Sequence, residues 1–390
     1  MKLLIKKIII AYKYENLYLR TKIFFSSQYQ KKIILPLKFF FFKENFAKLD
    51  YSSGFSKNYA NINNKKNYQL LIIKKIINFY HRYLKKVKKL NGIWEENMQI
   101  KLCDLSNALL NKNEKKLSKI FNNMFRNPLA DGLCVGYEHF INSQNLFGKI
   151  YIKTQFNNYL KELKKNKINL NKLKVPNIGN PSGIKYKNNI FSIETLRHAN
   201  QAFTMTTLTS NIKEPKILEI GGGIGGTCFQ YIYSFNNNKN IKYYLVDILE
   251  VLTLAGYCFH KKRALTFTKK NKSKHQIFLI PKDNLNLIKK IKFDLIFNSC
   301  SLSEMDLSEC NKYERLINTC SKKKSIFYHI NHDLRINYKT KNSFSTNKYG
   351  SDIIVKNKKF KLLKKFKRRN NLPEDKIIDY NEYIYEKIKN

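Results

Sequence analysis

One short segment limits the fold more than any other. In KILEIGGGIGG an apolar run from Lys216 to Ile220 leads straight into a loop in which Gly221, Gly222, Gly223, Gly225 and Gly226 crowd six positions. A run of that length and composition reads as a buried strand. Glycines directly after it let the backbone turn through positive φ and approach a bound nucleotide with no side chain between. Residues Thr227 to Tyr233 then open a helix whose N-terminus faces the same space. The next apolar run, YYLVD, ends on Asp247, 22 positions beyond Gly225. An acid so placed accepts hydrogen bonds from ribose hydroxyls in nucleotide-binding α/β units.

From Lys216 onward the texture is of alternating strands and helices. KILEI, YYLVD, QIFLI, FDLIFN and SIFYHIN are short apolar runs separated by polar or helical spacers, the pattern of a parallel sheet with crossover helices. Residues 211–345 therefore read as a Rossmann-like domain. Residues 66–210 read as mainly helical: LLIIKKIINFYHRYLKKVKKL repeats apolar positions at three- and four-residue spacing. A second stretch, CDLSNALLNKNEKKLSKIFNNMF, has Asp104 or Ser106 as its expected cap, and SIETLRHANQAFTMTTL opens with Ser192 as a helix start. Residues 1–65 read as a variable lead-in. Residues 346–390 read as a basic segment in which DIIVKNKKFKLLKKF suggests a hairpin before a charged tail.

Hydrophobic residues at 43% exclude a wholly disordered chain. The formal net charge of +46 raises the question of nucleic acid. The excess is nearly all lysine and accompanies abundant Asn, Ile, Phe and Tyr, as AT-rich codons would produce; arginine, preferred for bidentate phosphate contacts, is scarce. The charge is read as compositional, and nucleic acid is not the expected partner. Seven scattered cysteines without a CxxC pair suggest reduced thiols in the cytoplasm and no structural zinc. The basic, apolar N-terminus is interrupted by Lys6 and Lys7 and is too short to span a bilayer. It reads either as a packed segment or as a helix resting on the inner membrane surface.

The glycine loop also satisfies GxGxxG through Gly221, Gly223 and Gly226, so by itself it fits a dinucleotide or a methyl donor. Three features favour the methyl donor. Glu219 precedes the glycines where dinucleotide folds carry an apolar residue; the loop sits mid-chain behind a long helical region; and FDLIFNSCSLSEM fits the methyltransferase strand beside the reacting methyl.

With FRNPLADGLCVGYE, NIGNPSG, ETLRHA, ILEIGGGIGG, YYLVDILEVLTLAGY and FDLIFNSCSLSEM, the chain resembles a bacterial family of sugar O-methyltransferases over residues from about 120 to 335. That family is a branch of the class I adenosylmethionine-dependent enzymes. The resemblance implies an α/β fold, a Rossmann-like class I sheet with a mainly helical N-terminal region. It implies S-adenosylmethionine as cofactor, lined by Gly221, Gly223 and Gly225, with Glu219 near its amino-acid end and Asp247 on its ribose. Asp283, after the third strand, would approach the adenine. The implied acceptor is a sugar or glycan: a free nucleotide sugar, a lipid-linked glycan or a polysaccharide intermediate.

Methylating a sugar hydroxyl requires alignment and removal of a proton. Strand ends deliver the candidates: Asn298, Ser299, Ser303 and Glu304 after the fourth strand, and His329, Asn331 and His332 after the fifth. Glu304 or His332 is the expected base, Asn298 and Asn331 are orienting groups, and His198 closes over the acceptor. Asn298 and Ser299 also stand beside the cofactor. No carboxylate cluster suggests a metal. An RNA methyltransferase and a non-catalytic binding module of the same fold stay open as alternatives; NSCSLSEM carries neither an Asn-Pro-Pro-Tyr motif nor a Cys beside Pro.

Overall fold

The computed structural model describes residues 66–87, 100–130, 140–141, 146–175, 178–181, 183–186, 189–260, 275–333, 337–339, 344–354, 358–367 and 380–389. The expected lead-in, with its membrane-surface alternative, lies outside them, as do Gly132, Cys134 and Gly136.

Seven strands form one sheet: β1 (Lys216–Ile220), β2 (Ile241–Asp247), β3 (His275–Pro281), β4 (Phe293–Ser299), β5 (Ser321–His332), β6 (Phe360–Lys367) and β7 (Tyr380–Lys387). Their spatial order is β3-β2-β1-β4-β5-β7-β6. The first five run parallel; β7 enters antiparallel between β5 and β6. An α/β sheet of this order, with that one reversed strand, is the Rossmann-like sheet of class I methyltransferases. Ile217, Leu218 and Ile220 are all fully buried, as a central parallel strand covered on both faces requires. Side chains alternate between the faces: Ile217, Tyr243 and Leu245 pack with one set of helices, and Leu218, Tyr244 and Val246 with the other.

The first face is covered by α1 (Lys66–Leu84), α2 (Cys103–Leu110), α3 (Glu114–Asn122), α5 (Ile193–Leu208), a short α6 (Gly226–Gln230) and α7 (Leu249–His260). Between α3 and α5, α4 (Leu146–Lys165) packs on α5 through Ile152, Phe156 and Tyr159. The second face is covered by α8 (Leu307–Cys320). The helical region is thus one layer of the same body. Tyr80 of α1 donates to Glu250 of α7 at 2.9 Å, and Phe121 of α3 stacks on Tyr257 at 4.7 Å between centroids.

Local chemistry explains most helix ends. Ser192 caps α5 by accepting from Thr195 N at 3.1 Å. The stretch expected as one continuing helix breaks at Asn111–Asn113, because Asn113 turns the chain and caps α3 by accepting from Lys116 N. Neither Asp104 nor Ser106 caps: Leu102 holds the N-cap position of α2, without a side-chain bond. The C-terminal hairpin also differs from the one expected. Its first strand is β6, but its second is β7, from the segment taken as tail, and both extend the main sheet past residue 345. Two small hairpins, Ile184–Tyr186 with Asn189–Phe191 and Asn337–Lys339 with Phe344–Thr346, lie outside that sheet.

Candidate active site

The parallel strands end along one edge, and a pocket opens there beside the glycine loop. Gly221, Gly223 and Gly225 adopt φ of +65°, +57° and +82°, which side-chain-bearing residues resist. The loop is held as well as bent: Gly221 N donates to Val246 O at 2.8 Å and Gly223 N to Asp247 Oδ2 at 2.7 Å. A Cβ at Gly221 would run into the Ser301 side chain, and one at Gly225 into Phe259. Gly221 and Gly223 line the pocket, whereas Gly225 caps α6 and packs behind it.

Glu219 and Asp247 both line this pocket. Glu219 is almost wholly buried and accepts from Tyr243 Oη at 2.7 Å. Burial pushes its carboxyl up to about 8, against the Tyr243 bond, with Asp247 adding repulsion. Asp247 keeps part of its surface open to the pocket and accepts two backbone bonds, from Gly223 and Ile248, each 2.7 Å. Removal from water still raises it to about 6. The same desolvation, with Glu219 adjacent, drives the Tyr243 hydroxyl well above its ordinary range.

The far wall is the segment after β4. Ser299, Cys300, Ser301, Glu304, Met305 and Asp306 line it, joined by Glu309 and Tyr313 of α8. Asp306 caps α8 through Glu309 N at 2.8 Å. Opposite stand Arg197, His198 and Gln201 of α5. The His198 ring sits against Gly226, where any Cβ would collide with it. Gln201 is clamped, donating to Ser299 Oγ at 3.0 Å and accepting from Thr227 Oγ1 at 2.9 Å.

Asn298 and Asn331 are fully buried and do not line the pocket. Asn331 Nδ2 donates to Asn298 Oδ1 at 2.8 Å, and Asn298 Nδ2 donates to Ile220 O at 2.8 Å and to Ser301 Oγ. Asn331 Oδ1 accepts from both Ser303 N and Ser303 Oγ at 3.1 Å. The pair therefore orients the wall that carries Glu304. His332 is also outside the lining: its backbone N donates to Ser303 Oγ, and its ring stands edge-on to Tyr380. His329 is sandwiched among Phe327, Tyr383 and Tyr385, where burial lowers it to about 3 and keeps it neutral. Asp283 pairs with Lys282, and it is Lys282 that lines the pocket. Among the described residues no cluster of His, Cys, Asp or Glu fits a metal ion.

The structure thus brings Glu219, Gly221, Gly223, Asp247, Ser299, Glu304 and His198 around one cavity. Sequence reasoning missed Arg197, Gln201 and Thr227, and the acids Asp306 and Glu309. In a chain of formal charge +46, one pocket gathers Asp247, Glu304, Asp306 and Glu309, with Glu219 largely protonated at neutral pH, against Arg197 and Lys282. Such a lining favours a cation.

No protein-family model matches the sequence, and no curated protein does. Solved structures to which the chain is similar include an S-adenosylmethionine-dependent methyltransferase from Clostridium acetobutylicum, aligned over 60% of this chain and 99% of that one, at 13% identity and a TM-score of 0.35. PH0226 from Pyrococcus horikoshii aligns over 49% of this chain and 90% of its own, at 14% identity and 0.35. Phosphoethanolamine N-methyltransferase 2 from Haemonchus contortus, solved with S-adenosyl-L-methionine, aligns over 49% of this chain and about half (53%) of its own length, at 13% and 0.34. The fold assignment rests on strand order and register; likeness at these scores adds nothing to it.

Proposed function

We propose that the chain is an S-adenosylmethionine-dependent O-methyltransferase whose acceptor is a sugar hydroxyl. The observation that carries the cofactor half is the carboxylate-rich pocket beside a side-chain-free glycine loop in an otherwise basic protein. A sulfonium with an α-ammonium group complements that lining. The fit of the residues is specific. Glu219 would hold the ammonium and Asp247 the ribose hydroxyls, with the Gly221–Gly223 backbone beneath, where a Cβ at Gly221 has no room.

Bound adenosylmethionine supplies an already activated methyl group. The protein's task is to align a hydroxyl oxygen in line with that methyl and to accept its proton as the new C–O bond forms and the C–S bond breaks. Glu304 and His198 line the pocket and are the groups proposed for that proton, Glu304 first because the Asn298–Asn331–Ser303 network fixes its loop. His332, set against Tyr380 outside the lining, gives way to them. The sugar assignment is supported by the motif resemblance, and the protein side of the chemistry by two proton acceptors beside the glycine loop.

A thermal-shift comparison tests the cofactor: adenosylmethionine and adenosylhomocysteine should raise the melting temperature and NAD should not. A shift with NAD alone would overturn the reading. Isotopic methyl transfer into glycan rather than RNA fractions tests the acceptor. The charge of +46 favours RNA as the competing acceptor, and label appearing in RNA with steep salt dependence would establish it.

A further inference from the structure

On the other side of Arg197 and Gln201 lies a second cavity. It is a groove between α4 and α5 on one flank and β5, β6 and β7 on the other, and the two side chains belong to both linings. The cavities meet a second time at the sheet edge: Ile330 lines the groove, and its carbonyl accepts from Cys300 N, in the pocket wall, at 2.7 Å.

The partition between them is half fixed. Gln201 is held by Ser299 and Thr227. Arg197 is not held in the same way. Its Nε is buried without a hydrogen-bond partner, one Nη contacts His198 Nε2 at 3.4 Å, and no ion pair engages the guanidinium among the described residues. A guanidinium has five donors and no acceptor, and its planar fork matches a carboxylate or a phosphate. A partly buried guanidinium without an anion is incomplete.

The rest of the groove is suited to a hydroxylated molecule. Phe366 offers a partly buried ring, Glu162 a carboxylate, and Tyr328 donates to Glu382 at 2.6 Å across β5 and β7. Asn166 Nδ2 donates to Asn200 Oδ1 at 3.4 Å, a bond that does not use the Asn200 side-chain donors or the Asn166 side-chain carbonyl. Amides and carboxylates around an aromatic ring bind sugar hydroxyls through paired donors and acceptors, with the ring covering an apolar sugar face.

We propose that this groove is the acceptor site and that it takes a sugar bearing an anionic group, carboxylate or phosphate, which Arg197 clamps at the border of the cofactor pocket. The proposal rests on the methyl-transfer reading above. Arg197 anchors the charge, the amides and Phe366 hold the ring, and the hydroxyl to be methylated reaches past the Arg197 half of the partition towards Glu304 and His198.

The test is calorimetry on the full chain saturated with adenosylhomocysteine, titrated with glucose, glucuronate, glucose 1-phosphate and inorganic phosphate. Glucuronate or glucose 1-phosphate should bind roughly ten- to hundredfold more tightly than glucose, and which of the two does so identifies the anion. Arg197→Met should abolish that preference. Phe366→Ala should weaken every sugar and leave inorganic phosphate unchanged. Thermal melts of both variants check that they fold. Charged and neutral sugars binding alike, or no sugar binding to a protein that holds adenosylhomocysteine, would overturn the groove assignment alone. A loss of adenosylhomocysteine affinity in Arg197→Met would move the guanidinium to the cofactor's own carboxylate. Failure of the wild type to bind adenosylhomocysteine would sink the cofactor reading first.

Discussion

Asn298 and Asn331 stand at the ends of β4 and β5, and Glu219 and Asp247 at the ends of the neighbouring β1 and β2. Both pairs are polar and withdrawn from water, but they are built on different principles. The asparagines direct their amides at each other, at Ser303 and at the Ile220 carbonyl, and so satisfy one another. A buried polar network closed in this way specifies a geometry. The carboxylates are each raised by burial, Glu219 to about 8 and Asp247 to about 6, and face a cavity. Acids raised by burial in a cleft are candidates for a functional site, and under the proposed function they face the cationic cofactor. The contrast separates framework from site where composition alone does not.

That contrast can be broken by substitution. The largest effect should fall on turnover: Glu304→Gln should lower the rate of methyl transfer by about 10²- to 10⁴-fold, with adenosylmethionine affinity retained. Full turnover in both Glu304→Gln and His198→Ala would remove these two residues from the proton-transfer role. Asp247→Ala should next weaken adenosylmethionine binding by about 100-fold through loss of charge-assisted hydrogen bonds, measured by calorimetry on protein shown to be folded. Asn331→Ala should do the reverse. It should cost about 2–3 kcal/mol of stability in urea melts by orphaning Asn298 and Ser303, while cofactor affinity in the folded protein stays within about twofold, well under 1 kcal/mol.

The last effect is one of pH. Because the Glu219 carboxyl lies above its ordinary 4.5, at about 8, folding favours its protonated form. The stability this gives is fully present below about 4.5 and is lost as pH rises through about 8. Glu219→Gln should flatten that slope in urea melts at pH 5, 7 and 9. Wild-type affinity for the cationic cofactor should run the other way, rising as Asp247 and then Glu219 ionise, with proton release on binding. A pH-independent affinity between 6 and 9 would separate the two acids from the cofactor.

Five strands were legible in the sequence because each parallel strand carries a short, mostly apolar run, as Ile217, Leu218 and Ile220 show. β6 was legible only as part of a local hairpin, and β7 was not legible. β6 is an edge strand whose Lys361, Lys364 and Lys365 are exposed, a usual edge protection, and nothing in its composition shows that it joins the main sheet. β7 is interior, yet its apolar run is only Tyr383–Tyr385, flanked by Asn381, Glu382, Glu386 and Lys387, and its partner β5 is distant in sequence. Within the site, Glu219, Gly221, Gly223 and Asp247 could be read because strand, loop and strand are contiguous. Arg197 and Gln201 could not, since α5 precedes the sheet and only packing brings it to the glycine loop. ETLRHA did contain Arg197, but nothing in its spacing pointed to a pocket. His332 misled for a related reason: the end of β5 lies at the right edge, but its histidine ring turns to Tyr380.

The reversed strand has a consequence for how the molecule is made. β7 lies between β5 and β6 but follows both in the chain. During synthesis β5 must wait with an open edge, and β6 has no place to settle, until Tyr380–Lys387 has emerged. The seventh strand acts as a latch on assembly. A nascent chain stopped before it would expose the β5 edge to other chains, so truncation ahead of Tyr380 should yield aggregate, even though most residues of the candidate active site would already have been synthesised.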